Sequence, residues 1–146
     1  MKEAGILIRE MTHHDLEEVL AIERLSFTEP FSKALFESEL AQEKATLLVA
    51  ICGGDVIGYI DYWLVIDELH VINLVVDQAE RRKGIASRMI AEMVRRGKGA
   101  TSIFLEVRES SAGARAFYEK SGFVACGTRK GYYAGRETAI VMEKKI

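Results

Sequence analysis

Proline is nearly absent from this chain, one in 146 residues, and cysteine and histidine are scarce at two and three. Cys52 and Cys126 are far apart, form no C-x-x-C pair and have no histidine nearby. That excludes a disulfide framework and a zinc ribbon, and both thiols are read as small buried apolar residues. Long apolar runs are missing too: the longest stretch without a charge, residues 45–54, has ten residues, roughly half of what a membrane-spanning helix needs. Neither sign of charge dominates. Twenty Lys and Arg stand against 22 Asp and Glu, for a net charge of −2, where a general nucleic-acid binder carries a basic excess. Lys2 and Glu3 follow the first methionine with no apolar run behind them, so no signal peptide is expected. A cytoplasmic location is the default expectation, with no nucleic-acid or membrane partner.

What is present is the composition of an ordinary globule, 49% hydrophobic and 29% charged. A chain of this length buries about 70% of its unfolded surface, enough for a core without disulfides or metal. Residues 1–146 show no repeat, linker or low-complexity segment and are read as one domain. Residues 6–9 suit a first strand. Thr12 offers a hydroxyl N-cap with Asp15 three residues on, and Leu16, Val19, Leu20, Leu25 and Phe27 predict a helix over about 15–26. Pro30 interrupts, and Ser32 caps a second helix carrying Leu35, Phe36 and Leu40. Residues 47–51 and 56–64 flank Gly53-Gly54-Asp55 as a hairpin, and a third β-prone run, 68–76, follows closely. A charged turn, 77–83, leads into a helix over 84–96 with an apolar stripe at Ile85, Ala86, Met89, Ile90, Met93 and Val94. Arg95, Arg96 and Gly97 suit its end. A strand over 102–107, a helix capped by Ser110 or Ser111 and running through Lys120, and a hairpin of 124–133 with 138–142 around Ala134-Gly135 complete an α/β chain.

Three segments carry the chemistry. In Leu74-Val75-Val76-Asp77-Gln78-Ala79-Glu80-Arg81-Arg82-Lys83-Gly84-Ile85-Ala86-Ser87 a buried strand runs through a basic turn into a helix. The first turn of a helix presents backbone N–H groups without partners, and its dipole favours an anion. Gly84 and Ala86 let a phosphate approach the main chain, with Arg81, Arg82 and Lys83 beside it; the alternative is a plain strand-to-helix turn with solvated charges. Neither G-x-x-x-x-G-K-[ST] nor G-x-G-x-x-G is present, which excludes a Walker loop and a Rossmann fingerprint. In the strand Ile103-Phe104-Leu105-Glu106-Val107-Arg108, alternation puts Glu106 on the face with Phe104 and Arg108. A carboxylate there is a general base raised in pKa by burial, or it is an ion-pair partner of a neighbouring basic residue. On the helix of 112–121, Ala114, Phe117, Tyr118 and Ser121 share a face. Tyr118 is a core aromatic with a wet hydroxyl or a proton donor; spacing does not choose.

Together these segments resemble the GNAT superfamily of N-acetyltransferases, whose co-substrate is acetyl-CoA. Arg81-Arg82-Lys83-Gly84-Ile85-Ala86 matches that family's [RQ]-x-x-G-x-[GA] motif. Leu105-Glu106-Val107-Arg108 and Ala116-Phe117-Tyr118-Glu119-Lys120-Ser121-Gly122-Phe123 are similar to the L-E-V-R and [LF]-Y-x-x-x-G-F blocks of its ribosomal-protein-alanine N-acetyltransferases (the RimI type). Ser26-Phe27-Thr28-Glu29-Pro30-Phe31-Ser32 resembles their F-x-x-P-W-S element, and Arg129-Lys130-Gly131-Tyr132-Tyr133 with Glu137-Thr138-Ala139 their R-x-x-Y-Y and E-D-A tail. The resemblance spans nearly the whole chain in order. It implies an α/β (α+β) GNAT fold, with a mixed, mostly antiparallel central sheet of about seven strands flanked by about four helices.

By this resemblance Glu106 corresponds to the catalytic base and Tyr118 to the general acid, which also lies at the cofactor. Leu74, Val75, Val76, Arg81, Arg82, Lys83, Gly84, Ile85, Ala86 and Ser87 fall where the family binds acetyl-CoA, with the Val76 N–H polarising the thioester carbonyl. Ser111 stands where a cofactor-contacting Asn is usual. Phe31, His70, Tyr132 and Tyr133 fall on the acceptor side, although a hydrogen-bonded strand histidine is the simpler reading of His70. Three positions depart from the pattern: Phe31 for Trp, Ser111 for Asn and Thr138 for Asp, the last removing a carboxylate near the peptide. The implied reaction is direct acetyl transfer to an α-amino group without a metal. The first candidate acceptor is the N-terminal alanine of a small-subunit ribosomal protein, and the chain acts as a monomer or weak homodimer. A small-molecule amine or lysine N-acetyltransferase and a non-catalytic acetyl-CoA-binding module are the alternatives.

Overall fold

The computed structural model describes residues 5–27, 29–133 and 137–146, the side chains of Tyr132 and Tyr133 excepted. Its elements are β1 (Leu7–Glu10), α1 (Leu16–Ser26), α2 (Lys33–Ala41), β2 (Ala45–Cys52), β3 (Asp55–Val65), β4 (Glu68–Val76), α3 (Ile85–Arg96), β5 (Ser102–Arg108), α4 (Ala112–Lys120), β6 (Val124–Tyr133) and β7 (Glu137–Lys145). The strands hydrogen-bond in the order β1-β2-β3-β4-β5-β7-β6. β1 with β2, β2 with β3, β5 with β7 and β6 with β7 run antiparallel. β4 pairs with β5 in parallel at Glu68, Leu69 and His70. This is the mixed, mostly antiparallel sheet with four helices that the resemblance implied. Among the described residues no helix is long and apolar enough to cross a membrane. By contact density the chain divides into two compact units, Met1–Trp63 with Asn73–Lys98, and Leu64–Ile72 with Gly99–Ile146.

In the first unit, α1 lays Leu16, Val19, Leu20, Ile22 and Glu23 against the sheet. Leu25, read from spacing as part of that stripe, is 76% exposed. At ~100° per residue it lies opposite Leu16, whereas Glu23 falls within the buried arc. The cap at Thr12 starts a 3-10 turn, His13–Asp15, ahead of α1. Asp15 accepts from the Thr12 N–H at 2.8 Å and from Nη1 and Nη2 of Arg9 at 2.8 and 2.9 Å, so Arg9 holds its carboxyl below the usual aspartate range. Ser32 caps α2 as expected, accepting from the Leu35 N–H at 3.1 Å. Along β3 the pleat sends Tyr59, Asp61 and Trp63 to one face and Gly58 to the other. Phe36 of α2 meets the Tyr59 ring edge-on at 5.5 Å. The stripe of α3 buries Ile85, Met89, Ile90 and Met93. The helix ends at Gly97 with φ −86, so the left-handed residue is not Gly97; Gly99 has φ +88.

In the second unit, β5 buries Ile103, Leu105 and Val107 and leaves Phe104, Glu106 and Arg108 half-buried, as alternation requires. Ser111 is the N-cap of α4, but its side chain makes no capping hydrogen bond. Tyr118 is 8% exposed, with Phe117 and Phe123 edge-on at 5.1 and 5.5 Å. The thiols, one in each unit, correct the sequence reading: Cys52 of the first unit is half-buried and Cys126 of the second exposed. Cys52 closes β2 beside the Gly53-Gly54 turn, and Cys126 stands on edge strand β6 where its register with β7 slips between Ala125 and Gly127. The Ala134-Gly135 turn lies outside the described residues.

Candidate active site

The first unit holds the turn from β4 into α3. Asp77 accepts from the Ala79 N–H at 3.2 Å and opens a 3-10 turn, Gln78–Glu80. The three basic residues that follow do different things. Arg81 donates Nε–H to the Val76 carbonyl at 3.0 Å and braces the turn, and Lys83 pairs with Glu80 at 3.0 Å. Arg82 is exposed and, among the described residues, has no side-chain partner. Arg82 and Gly84 both adopt left-handed backbone, φ +66 and +77, which favours a concave arrangement of N–H groups. Among the described residues no side chain caps the first turn of α3. Uncapped N–H groups at a helix start, a residue without Cβ and a solvent-facing guanidinium fit an anionic diphosphate. Ile85, Val75 and Val76 are buried, at 2, 4 and 9% exposure, so their side chains belong to the core and do not face solvent. Gly58 makes room for the main chain at Val75: a Cβ there would stand 2.9 Å from the Val75 oxygen and 3.2 Å from Met89 Cε.

Phe31 is half-buried, its ring 5.6 Å from Phe36. Its N–H donates to Glu23 Oε2 at 2.8 Å. The other oxygen of Glu23 accepts from the Tyr59 hydroxyl and from Asn73 Nδ2 at 3.1 Å, and Asn73 Nδ2 also donates to Tyr59 Oη at 2.7 Å. Glu23, Tyr59 and Asn73 escaped the sequence reading. Their signal was there: a glutamate on the apolar stripe of α1 and an asparagine inside the apolar run 68–76.

In the second unit Glu106 pairs with Arg129 Nε at 2.9 Å, so of the two sequence readings the ion pair is the one formed in the isolated chain. His70 is hydrogen-bonded, Nε2 to Glu68 Oε1 at 3.0 Å, and stacks on Phe104 at 5.4 Å. It thus lies beside the face of β5 that carries Glu106. Ser111 is half-buried. Glu137 accepts the Ser110 N–H at 2.8 Å and Arg108 at 3.2 Å, and these bonds, Ser110 first, hold its carboxyl below the usual range. It therefore fixes the entry to α4, a role the tail motif did not suggest. The side chains of Tyr132 and Tyr133 lie outside the described residues.

The profile of the acetyltransferase (GNAT) family matches residues 16–123. An N-alpha-acetyltransferase of Saccharolobus solfataricus is 30% identical over 95% of this chain and 92% of its own length. A [ribosomal protein bS18]-alanine N-acetyltransferase of Escherichia coli is 29% identical over 90% of this chain and 92% of its own. The crystal structure of the ribosomal-protein-S18-alanine N-acetyltransferase from Escherichia coli superposes with a TM-score of 0.86 at 28% identity, covering 97% of this chain and 94% of that one. The uncapped, left-handed entry to α3, the mixed seven-stranded sheet and these end-to-end matches agree: this chain belongs to the GNAT acetyltransferase family, as an N-acetyltransferase.

Proposed function

We propose that this protein transfers acetyl from acetyl-CoA to the N-terminal α-amino group of a protein, with the N-terminal alanine of a small-subunit ribosomal protein as the first acceptor to test. Residues 1–146 act as one acetyltransferase domain. The observation that carries the reading is the turn from β4 into α3, where Arg82 and Gly84 open an uncapped helix start. The acceptor class is supported by relatives named for protein N-termini in a bacterium and an archaeon, each matching at least nine-tenths of the chain.

Acetyl-CoA, when bound, supplies the acetyl group as an activated thioester. The N–H groups from Gly84 to Ser87 and the Arg82 guanidinium hold its diphosphate, with Lys83 beside them and Arg81 keeping the turn in shape. The main chain of Leu74, Val75 and Val76 orients the acyl arm, the Val76 N–H acting as donor to the carbonyl oxygen. Glu106 takes the proton from the acceptor ammonium, whose pKa lies near ~8. It first exchanges Arg129 for that incoming cation. Tyr118 protonates the departing thiolate, Ser111 contacts the cofactor, and Phe31, His70, Tyr132 and Tyr133 receive the acceptor.

The test is a thiol-release assay with peptides differing in their first residue, set against polyamines and aminoglycosides. Mass spectrometry of the product then separates α- from ε-acetylation. Turnover confined to peptides, with the label on the α-nitrogen, is expected. Turnover confined to the small amines overturns the reading.

A further inference from the structure

We infer that Glu23 is a positioning residue for the acceptor: its carboxylate latches the segment between α1 and α2 to β3 and β4 through the Phe31 amide. The inference rests on the proposed function, since it takes that segment as part of the acceptor's site.

Donors from three separate parts of the first unit meet on one side chain that is 1% exposed. Its two oxygens do different work. Oε1 receives Tyr59 and Asn73 and, with the Asn73–Tyr59 bond, ties α1 to β3 and β4. Oε2 receives the Phe31 N–H at 2.8 Å. The Tyr59 hydroxyl stays a donor, because burial and the Glu23 charge push its pKa far above the ordinary tyrosine value. Asn73 meanwhile turns its Oδ1 to the N–H of Leu74 at 3.1 Å, so the same network reaches the main chain proposed to orient the acyl arm. A carboxylate withdrawn from water persists only where donors replace its hydration. An apolar side chain of similar size would fill this position at less cost, yet it has nothing to offer the Phe31 amide. Phe27 and Phe31 pack their rings onto the core cluster, which sets how deep the segment sits. The hydrogen bond at Oε2 adds where its main chain points.

Glu23→Gln separates the latch from the core. The amide oxygen still serves Tyr59 and Asn73, while the new NH2 meets the Phe31 N–H donor to donor. Tyr59→Phe loses a donor on Oε1 and keeps Phe31 on Oε2. Both variants of the full chain are compared with the wild type by steady-state kinetics on the best peptide and by hydrogen exchange at Phe31. Glu23→Gln is expected to raise the peptide KM about ten-fold or more, the size of a lost bond to a charged group, with kcat and the acetyl-CoA KM within about two-fold. Exchange at Phe31 should accelerate in Glu23→Gln and stay unchanged in Tyr59→Phe. An equal rise in both KM values, or a lower Tm with the peptide KM unchanged, overturns the inference. A wild type that acetylates no peptide overturns the functional reading instead. The Phe31 exchange then decides the latch, and an unchanged rate in Glu23→Gln sinks it too.

Discussion

Asp61→Asn is expected to make this protein more stable at pH 8 while leaving it nearly unchanged at pH 5. Asp61 is wholly buried on β3, and as a carboxylate neither of its oxygens finds a donor among the described residues. Opposite it on α2 stands Glu39, 4% exposed, which accepts from Trp63 Nε1 at 2.8 Å and Gln42 Nε2 at 3.4 Å. Burial, and then Glu39, push the Asp61 pKa up to about 9, so at neutral pH Asp61 is the neutral acid beside Glu39. Its other titratable neighbour is Tyr59 on the same strand face, which also feels Glu23 of α1. An unfolded aspartate titrates near ~3.9. Between the two values the folded chain holds a proton that the unfolded chain lacks, so stability falls as pH rises, by at most ~1.4 kcal/mol per unit. From pH 5 to pH 8 the limit is about 4 kcal/mol, and about 2 if local relaxation halves the effect. Asn carries its donor at every pH and removes the slope. The carboxyls held low, Asp15 by Arg9, Glu92 by Arg95 and Arg96, and Glu137 by Ser110, lose their contribution as pH falls through the acid range, below this window. Urea unfolding at pH 5, 6, 7 and 8, followed by circular dichroism and by emission from the single tryptophan, Trp63, reads the difference directly. Parallel curves for wild type and variant across that range would mean that Asp61 is ionised in the fold, and would refute the reasoning.

Glu106→Gln and Tyr118→Phe should each slow turnover by about 100-fold or more if they act as base and acid; near-wild-type rates in both remove the assignment. Gly58→Ala places a Cβ 2.9 Å from the Val75 oxygen. It should cost about 1–3 kcal/mol of stability and weaken acetyl-CoA binding by calorimetry, because the strand at Val75 and Val76 must shift. Unchanged Tm and affinity would show that the clearance is not needed. Arg82→Ala should weaken acetyl-CoA about five- to ten-fold, with a shallower salt dependence and an unchanged Tm. An affinity that stays the same would assign the diphosphate to the helix N–H groups alone.

Much of the fold was legible because periodicity reports burial. The alternation in β5 and the stripe on α3 were read from spacing and stand as read, and Gly84 was identified as the helix start. Spacing failed where one residue obeyed it only in part. Leu25 is apolar yet lies on the wrong side of α1, and the thiols were placed by residue type, which carries no information about a strand edge or a register slip. Of the candidate site, the sequence named the residues of motifs and missed the residues that hold motifs in place. Arg129 was noticed as part of a tail and not as the partner of Glu106. Glu137 was noticed for its neighbours and not for its hold on Ser110.

By itself the sequence determined the order of elements, the glycine at the start of α3 and the family, since these depend on neighbours a few residues apart and on motifs in a fixed order. Only the tertiary structure decided which charges are committed and to whom. Arg81 and Lys83 are spent within their turn while Arg82 is not, Glu106 rests on Arg129, and four acidic side chains, Asp15, Glu23, Glu39 and Asp61, lie inside the first unit. A buried carboxyl is stable only if a donor or a proton comes with it. The donors come from residues up to 50 positions away, as Asn73 does for Glu23, and no local pattern in the chain records that meeting.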